Sequence, residues 1–247
     1  MSSKPPVTLG FNVDHVATVR EVRRGAIPNV VQAAQEGIKA GARGITTHLR
    51  EDRRHIQDRD VFELKRAIRV PLNLEMSIAE GIVRVARRLK PEKACLVPER
   101  REELTTEGGL DVIREKRRIA RVVDLLKEKK IVVSLFIDPI LEQIQAAYDV
   151  DSDYIELHTG CYAETKGERR TRELRRLREA ARLAHSLGLG VNAGHGLNYE
   201  NVKPVVRLPH VEELNIGHAL VARAIFVGIP EAVREMCSLI RGASNDS

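Results

Sequence analysis

The stretch IVVSLFIDPILEQIQAAYDVDSDYIELH, residues 131–158, contains the pattern that decides the fold. Its first part, Ile131–Ile137, is rich in β-branched and apolar residues and predicts a strand. Ile140–Val150 has the apolar spacing of a helix, and Asp153–His158 predicts a second strand. A strand, a helix and a strand in this order form a unit whose strands are parallel. The stretch therefore predicts one βα repeat of a parallel sheet.

The same alternation repeats along the whole chain. Strands are predicted at Val7–Val13, Gly44–His48, Pro71–Glu75, Ala94–Val97, Ile131–Ile137, Asp153–His158, Gly190–Ala193 and Val211–Asn215. Helices are predicted at Val30–Ala42, Arg59–Ile68, Ile78–Leu89, Leu110–Glu128, Ile140–Val150, Arg170–Leu187, Tyr199–Val206, His218–Ile225 and Glu231–Ile240. Eight βα units in about 250 residues is the usual size of a (β/α)8 TIM barrel. We expect that α/β barrel, with a doubly wound open sheet as the alternative.

The chain is expected to form one domain. It has 247 residues, of which 43% are apolar and 31% charged, and this is enough to bury a large core. No Ser-rich or Gly-rich linker divides it, so we predict a single barrel domain over residues 1–247. Residues 1–6 and 242–247 are predicted to be flexible ends. Gly41, Gly188 and Gly228 lie where predicted helices end, a position that favours left-handed glycine.

The composition argues against several classes of protein. No apolar run reaches the roughly 18 residues that span a membrane, and the N-terminus lacks the pattern of a secretory signal. We therefore expect a cytoplasmic protein with no membrane partner. The three cysteines form no CxxC pair, which argues against a disulfide framework and a cysteine zinc site.

The net charge of +6 raises the question of nucleic-acid binding. In the most basic stretch, Lys166–Arg182, glutamates alternate with arginines, as they do on a solvated helix face. Only four Tyr and four Phe are available to stack on bases. We predict no nucleic-acid partner and expect anionic small molecules such as phosphate esters. A basic binding protein of barrel fold without catalysis remains an alternative.

Most predicted strands are apolar until their carboxyl ends, where polar residues occur. These residues are Asn12, Asp14, His15, His48, Arg50, Glu75, Glu99, Asp138, Glu156, His158, Asn192, His195, Asn215, Gly217 and His218. In a barrel these ends meet at one face, which is where active sites of this fold lie. The pattern predicts one cavity shared by histidines and carboxylates. Taken singly, each residue also allows a structural role, such as Asp14 capping a turn.

Glu75 and two glycine motifs are the most informative candidates. Glu75 lies in the apolar frame LNLEM, so we expect a desolvated carboxyl suited to act as a general base. A buried pair with an arginine such as Arg50 is the structural alternative. AGHGL, residues 193–197, and NIGH, residues 215–218, follow the last two strands. Glycines there let backbone amides approach a phosphate, and this fold often binds phosphate at that place.

Nine blocks of sequence, taken together, resemble a known family. They are NVDHVATVR, GITTHLREDRRHIQDRDV, NLEM, CLVPE, TTEGGLD, VSLFID, IELHTGCYA, VNAGHGLNYENV and ELNIGHA. In this order they resemble the pyridoxine 5′-phosphate synthase family, from Leu9 to Arg241. The resemblance implies a (β/α)8 barrel with extra helices and a homo-octamer built from dimers, without metal or cofactor. It also implies condensation of 1-deoxy-D-xylulose 5-phosphate with 3-amino-2-oxopropyl phosphate, with release of phosphate and water.

The resemblance further implies a role for individual residues. Glu75 matches a general base, His48 a proton acceptor, His195 a proton donor, and Glu156 a residue that stabilises a transition state. The contacts to deoxyxylulose phosphate match Asp14, His15, Arg50, His55 and Thr105. The contacts to aminooxopropyl phosphate match Asn12, Arg23, Gly196, Gly217 and His218.

Two positions limit this assignment, and a second type of enzyme remains an alternative. Arg23 and Arg24 are adjacent, so either can be the matching arginine. Thr47 stands where an aliphatic residue is expected. The alternative enzyme is a metal-dependent aldolase or isomerase in which His15, His48, His158 and a carboxylate hold a divalent cation.

Overall fold

The computed structural model describes residues 6–99 and 108–245. Eight parallel strands pair in sequence order, and the last strand pairs with the first to close a barrel. They are β1 (Thr8–Asn12), β2 (Gly44–His48), β3 (Leu72–Met76), β4 (Lys93–Leu96), β5 (Val132–Ile137), β6 (Tyr154–His158), β7 (Gly190–Gly194) and β8 (Val211–Ile216). The predicted (β/α)8 barrel is confirmed. A doubly wound open sheet is excluded because the sheet closes.

Helices follow every strand and surround the barrel. They are α1 (Asp14–Glu21), α2 (Val30–Ala40), α3 (Asp58–Ala67), α4 (Glu80–Leu89), α5 (Val112–Lys127), α6 (Leu141–Asp149), α7 (Gly160–Glu164), α8 (Gly167–Ser186), α9 (Val202–Val206), α10 (His218–Val227) and α11 (Ile229–Asn245). Two helices follow each of β1, β6 and β8, and these pairs account for the extra helices. Within the described ranges, no helix is both long enough and apolar enough to cross a bilayer.

Two helices were not predicted, and a third extends well beyond its predicted end. The sequence pattern missed α1 and α7, because α1 buries only a short apolar stripe and α7 is a single five-residue turn of helix. The closing helix was predicted over Glu231–Ile240 but runs from Ile229 to Asn245. Ala243 is only 1% exposed and packs in the core. Residues 242–245, expected to be part of a flexible end, therefore belong to α11.

The core lies between the outer face of the barrel and the helices. Side chains alternate across a strand, so one face of each strand contacts the helices and the other faces the barrel interior. On β3, Leu72, Leu74 and Met76 are fully buried in this outer core. Asn73 and Glu75 alternate with them and belong to the inner face. The alternation thus directs Glu75 into the barrel while its neighbours hold the strand in place.

The barrel interior is polar well below the strand ends. Lys93 Nζ lies 3.2 Å from Glu213 Oε2, at the amino-terminal parts of β4 and β8. Higher up, Thr46 Oγ1 donates to Asn215 Oδ1 at 2.7 Å. The expectation that strands stay apolar until their carboxyl ends therefore holds only for their outer faces. Pairing and hydrogen bonding offset the cost of burying these polar groups.

Glycines end the helices as the sequence predicted. Gly41 closes α2 with φ +124° and Gly228 closes α10 with φ +81°. Gly188, just after α8, has φ +85°. Because side chains disfavour positive φ, glycine suits these turns, which lead from α2 and α8 to the next strand and from α10 to α11.

Candidate active site

A cavity of about 600 Å³ opens at the carboxyl ends of the strands. Predicted site residues from six of the eight strands and the segments after them line it. They are Asn12, Asp14, His15, His48, Arg50, His55, Glu75, Glu156, His195, Gly196, Gly217 and His218. Barrel closure thus brings together residues that are up to about two hundred positions apart in the sequence.

Among the described residues, Arg23, which has a predicted substrate contact, is not part of this lining, and neither are Glu99, Asp138, His158 and Asn192 from the strand ends. Arg23 lies exposed in the turn after α1, as does Arg24, and neither lines the cavity. Thr105 lies outside the described residues. The buried arginine of this region is Arg20, whose Nη2 is 2.7 Å from Asp60 Oδ2 and 3.0 Å from the backbone oxygen of His55. Arg20 therefore fixes the loop that carries His55, and the role of Arg23 stays a prediction.

Glu75 lies beside His48, its partner in the pairing of β3 with β2. Burial raises the pKa of Glu75 well above its usual value, and the charges of Asp14 and Glu156 raise it further. A hydrogen bond with Asn12 opposes these effects in part. Among the described residues, the charged groups that shift this pKa are carboxylates, so the alternative of a pair with Arg50 lacks support. A carboxyl so placed binds a proton readily.

His48 has a carboxylate partner, Glu99, which the sequence analysis placed at the strand ends but gave no role. Its Nε2 lies 3.0 Å from Glu99 Oε1, and both side chains are buried. Burial would raise the pKa of Glu99, but hydrogen bonds from His48 and from the amide of Glu51 outweigh it and lower the pKa. Glu99 is therefore a carboxylate that fixes the orientation of the His48 ring. Its position at the end of the fourth strand was the available signal.

Asp14 fixes the backbone beside His48. Its Oδ1 accepts from the amide of His48 at 2.8 Å and from Thr47 Oγ1 at 3.1 Å. Its Oδ2 accepts from Asn12 Nδ2 at 3.0 Å. Thr47, which stands where an aliphatic residue was expected, thus uses its hydroxyl to hold Asp14. The segments after β1 and β2 are joined through this aspartate.

Glu156 lies deeper, on β6, in a hydrogen-bonded environment. Its Oε2 accepts from Asn215 Nδ2 at 2.7 Å. Burial raises the pKa of Glu156 to about 7, although the Asn215 hydrogen bond lowers it. Near neutral pH this group can therefore carry either a proton or a charge, and a group that holds a proton there can stabilise charge that develops on a bound ligand.

Burial holds three histidines of the cavity, His15, His55 and His195, toward their neutral forms. Burial lowers the pKa of His195 to about 4, and the charges of His158 and His15 lower it further. Burial also lowers the pKa of His15 and of His55, although Asp14 acts in the opposite direction on both. Neutral imidazole can accept or donate a hydrogen bond at pH 7.

The loops after β7 and β8 provide backbone amides at the cavity wall. Gly196 has φ +74°. Gly217 precedes the first turn of α10, and a Cβ there would stand 2.9 Å from Asn12 Oδ1, so only glycine fits. The first amides of α10 have no partner within the helix and favour an anion. This geometry suits the predicted phosphate site.

The cationic side of the cavity contains Arg50 and Arg54. Arg54 was not predicted as a site residue, although it lies in the charged segment HLREDRRH after β2. Its Nη2 is 2.7 Å from Asp52 Oδ2, and Arg50 Nε is 3.7 Å from Asp52 Oδ1. Asp52 thus aligns two guanidinium groups at the cavity, where they can contact phosphate oxygens.

The described residues do not provide the ligand set that the metal-dependent alternative requires. Over residues 6–99 and 108–245, no three or more His, Cys, Asp or Glu side chains are grouped so that they could hold a metal ion. His48 bonds to Glu99, whereas His158 bonds to Asp138. His15 contacts the ring of His218 with centroids 5.1 Å apart.

Comparison with known proteins decides the family. Residues 9–242 match the model of the family described as pyridoxal phosphate biosynthesis protein PdxJ. The chain belongs to the PdxJ family. A protein of Trichlorobacter lovleyi named pyridoxine 5′-phosphate synthase is 55% identical over 234 residues, which cover 94% of this chain and 98% of that protein. One of the same name from Legionella pneumophila strain Paris is 53% identical over 236 residues, 95% of each chain.

Solved structures show the same barrel at low sequence identity. Phosphoribosyl anthranilate isomerase from Thermus thermophilus aligns with a TM-score of 0.61 at 14% identity, over 96% of this chain and 99% of that one. The tryptophan synthase α-subunit of Pyrococcus furiosus aligns with a TM-score of 0.63 at 14% identity, over 96% of this chain and 100% of that one. These likenesses concern the fold alone. The predicted family resemblance is confirmed by the PdxJ match and the relatives.

Proposed function

We propose that this barrel condenses 1-deoxy-D-xylulose 5-phosphate with 3-amino-2-oxopropyl phosphate to give pyridoxine 5′-phosphate, phosphate and water. Membership of the PdxJ family and the names of relatives at 52 to 55% identity assign the chain pyridoxine 5′-phosphate synthase activity. The two substrates, the residue roles and the reaction sequence are the proposal. The main support for this proposal is that Glu75, His48 and His195 line one cavity.

The reaction needs proton transfers in both directions. An amine must condense with a carbonyl, water and phosphate must leave, and a carbon–carbon bond must close the ring. A single group cannot perform all of these steps, because every proton transfer changes the protonation state of that group. Several differently poised groups can divide the work, each transfer being worth roughly 10²- to 10⁴-fold in rate.

The environments of the three groups suit different parts of this work. We assign Glu75 as the general base, because burial keeps its proton affinity high while it faces the cavity. We assign His48, oriented by Glu99, as a second proton acceptor. His195 is the proton donor, because a histidine whose pKa is low gives up a proton easily once a substrate has brought it one.

The remaining residues would hold the two phosphorylated substrates. We assign the deoxyxylulose phosphate to the side formed by Asp14, His15, Arg50 and His55, with Thr105 as a further contact predicted from the family. We assign the aminooxopropyl phosphate to Asn12, Gly196, Gly217 and His218, with Arg23 as a predicted contact. Guanidinium groups and backbone amides bind phosphate oxygens and hold both molecules in a reactive arrangement.

The direct test is to mix the two phosphates with the purified protein. We expect the absorbance of a pyridine product to rise together with released inorganic phosphate. Omission of either substrate is the control. A protein that forms no pyridine from this pair would contradict the proposal.

The absence of a metal or organic cofactor is part of the proposal and has its own test. We expect full turnover after exhaustive chelation and dialysis, because the roles above use only side chains of this chain. A metal that survives purification in stoichiometric amount, and whose removal abolishes turnover, would support the metal-dependent alternative. A non-catalytic basic protein would instead bind polyanions with steep salt dependence and show no turnover.

We also propose a homo-oligomer, an octamer built from dimers. A support for self-association is a group of exposed apolar side chains at the ends of α1 and α10. Val22 is 79% exposed, Ile225 74% and Phe226 83%. Helices α1 and α10 contact each other, and exposed apolar side chains gain from burial against a partner. Light scattering should give a mass near eight times the 27.7 kDa chain, and Phe226→Glu should lower it.

The expected cellular location is the cytoplasm. The three cysteines, Cys95, Cys161 and Cys237, are free thiols, which is the usual state in a reducing compartment. Fractionation of cells that express the tagged protein would test this proposal.

A further inference from the structure

A second carboxylate–histidine pair lies behind His195. His158 is the last residue of β6, and Asp138 directly follows β5. Asp138 Oδ1 accepts from His158 Nδ1 at 2.8 Å, and the His158 side chain is 4% exposed. His158 is not among the residues that line the cavity, whereas His195 is. Any effect of His158 on a bound substrate must therefore pass through a neighbouring residue.

The three residues at the end of β6 all act on His195. His195 has φ +80°, a left-handed conformation that is rare for a residue with a side chain. Thr159 Oγ1 holds this backbone by donating to the carbonyl oxygens of Gly194 and His195. Gly160 leaves the space that both rings need, because a Cβ there would clash with His158 Nε2 and lie 3.2 Å from His195 Cδ2.

The rings of His158 and His195 are in edge-to-face contact. Their centroids are 5.1 Å apart with an interplanar angle of 63°. Phe136 packs against both, with centroids 5.1 Å from His158 and 6.4 Å from His195. The orientation of His195 is thus limited on one side by His158 and its aromatic neighbour.

The bond to Asp138 determines which nitrogen of His158 carries hydrogen. Because the carboxylate accepts from Nδ1, the neutral ring has a bare lone pair on Nε2. This Nε2 is buried and has no hydrogen-bond partner among the described residues. A buried polar atom without a partner costs free energy, and such an atom calls for an explanation. Its nearest aromatic neighbours are the rings of His195 and Phe136.

We propose that His158, held by Asp138, is a positioning residue that sets how the His195 ring is oriented and how readily it takes a proton. The inference rests on the proposed function, in which His195 is the proton donor. A proton on either of two imidazoles at this distance disfavours a proton on the other. His195 therefore stays neutral in the empty cavity and takes a proton only when an anionic substrate arrives.

The surroundings of His195 agree with this assignment. Among the residues that the structure describes, the titratable groups whose charges act on it are His158 from β6 and His15 from α1. Burial comes first in lowering the pKa of His195, followed by His158 and then His15. The hydrogen bond from His158 is the main reason that the pKa of Asp138 is lowered, so Asp138 stays ionised and keeps its hold on the ring.

Two substitutions separate positioning of His195 from a purely structural link between β5 and β6. His158→Asn keeps a side-chain N–H that can donate to Asp138 but removes the edge of the ring that faces His195. His158→Phe keeps a ring and removes both nitrogens. Cys161→Ser is the matched control, because Cys161 is exposed on the adjacent turn and has no assigned role. We expect kcat to fall about tenfold in both His158 variants with KM nearly unchanged, and no change in the control.

A second measurement does not depend on turnover. Titration of histidine-labelled protein by NMR without substrate should show the pKa of His195 rising in both His158 variants. If the wild-type protein makes no pyridine product, the proposed function fails, and the titration still decides the link between the two histidines. If His158→Asn keeps wild-type kcat, or if the His195 titration is the same in all variants, the positioning role is overturned.

Discussion

His48 and His195 both line the cavity, but their neighbours differ. His48, at the end of β2, bonds to the buried carboxylate of Glu99 at 3.0 Å. His195, after β7, faces two other histidines, and burial lowers its pKa to about 4. The carboxylate fixes the orientation of the His48 ring, whereas burial among imidazoles disfavours a proton on His195. Under the proposed function, this difference lets one residue type serve as proton acceptor at His48 and as proton donor at His195.

The largest expected effect comes from Glu75, whose carboxyl lies beside His48. Glu75→Gln keeps the size of the side chain and removes its ability to take a proton. We expect kcat to fall about 10³-fold, because general-base catalysis is lost. Steady-state formation of the pyridine product measures this. Glu212→Gln, at an exposed position of β8, is the control, and unaltered turnover in Glu75→Gln would refute the role as base.

The support of His48 by a carboxylate is tested next. Glu99→Gln keeps a hydrogen-bonding group but loses the carboxylate that lies 3.0 Å from His48 Nε2 and fixes the ring. We expect kcat to fall about 30-fold, comparable to the loss when a partner that orients a metal-bound histidine is removed. Glu80→Gln removes a carboxylate whose pair with Arg84 is exposed, and it should leave kcat unchanged. Equal kcat values for Glu99→Gln and Glu80→Gln would show that Glu99 does not support His48.

The pH dependence of stability should differ in sign between Glu156 and His195. Glu156 has a folded pKa of about 7 against its usual 4.5, so the folded state binds more protons and stability falls as pH rises through this window. His195 has a folded pKa of about 4 against 6.5, so the unfolded state binds more protons and stability falls as pH drops through that window.

Urea unfolding at pH 5 and pH 8 measures this difference. Relative to the wild-type protein, Glu156→Gln should gain about 2 kcal/mol between pH 5 and pH 8, because it removes the cost of a buried charge. His195→Asn should show the opposite trend, gaining about 2 kcal/mol at pH 5 relative to pH 8. Asparagine tolerates the left-handed backbone at this position. Parallel pH curves for all three proteins would contradict the two pKa shifts.

The smallest expected effect concerns the space between His158 and His195. Gly160→Ala places a Cβ against both rings. We expect a loss of about 1 kcal/mol in the free energy of unfolding, since overpacking forces the rings to shift. Gly81→Ala is the control, because a Cβ there meets nothing within 4 Å and alanine favours the helix. A Gly160→Ala variant as stable as the wild-type protein would show that the rings have more room than the structure gives them.

The strands of the barrel could be predicted more fully than its helices. Every strand gave a short apolar run, and the helix patterns between them fixed the parallel connection. Helix α1 was missed because the polar residues Asp14 and His15 begin it directly after β1, where they were expected to end a strand. Helix α7 has five residues, too few to show a helical period.

The sequence predicted individual site residues, but it did not predict the groups to which those residues hydrogen-bond. The position of a polar residue at a strand end indicates that it reaches the cavity, as it does for Glu75 and His195. The sequence does not indicate which distant group it will bond to. Glu99 lies 51 positions from His48 and Asn215 lies 59 positions from Glu156. Such pairs depend on strand register and on barrel closure.

The sequence by itself determined the parallel βα repeat, the face on which polar residues gather, and the family. It did so because period, glycine placement and motif order are local properties of the chain. Only the tertiary structure decided that His48 is bonded to a carboxylate while His195 stands among imidazoles, and that Glu156 is poised near neutrality. Burial and hydrogen bonds between distant residues set proton affinities, and these exist only once the barrel has closed.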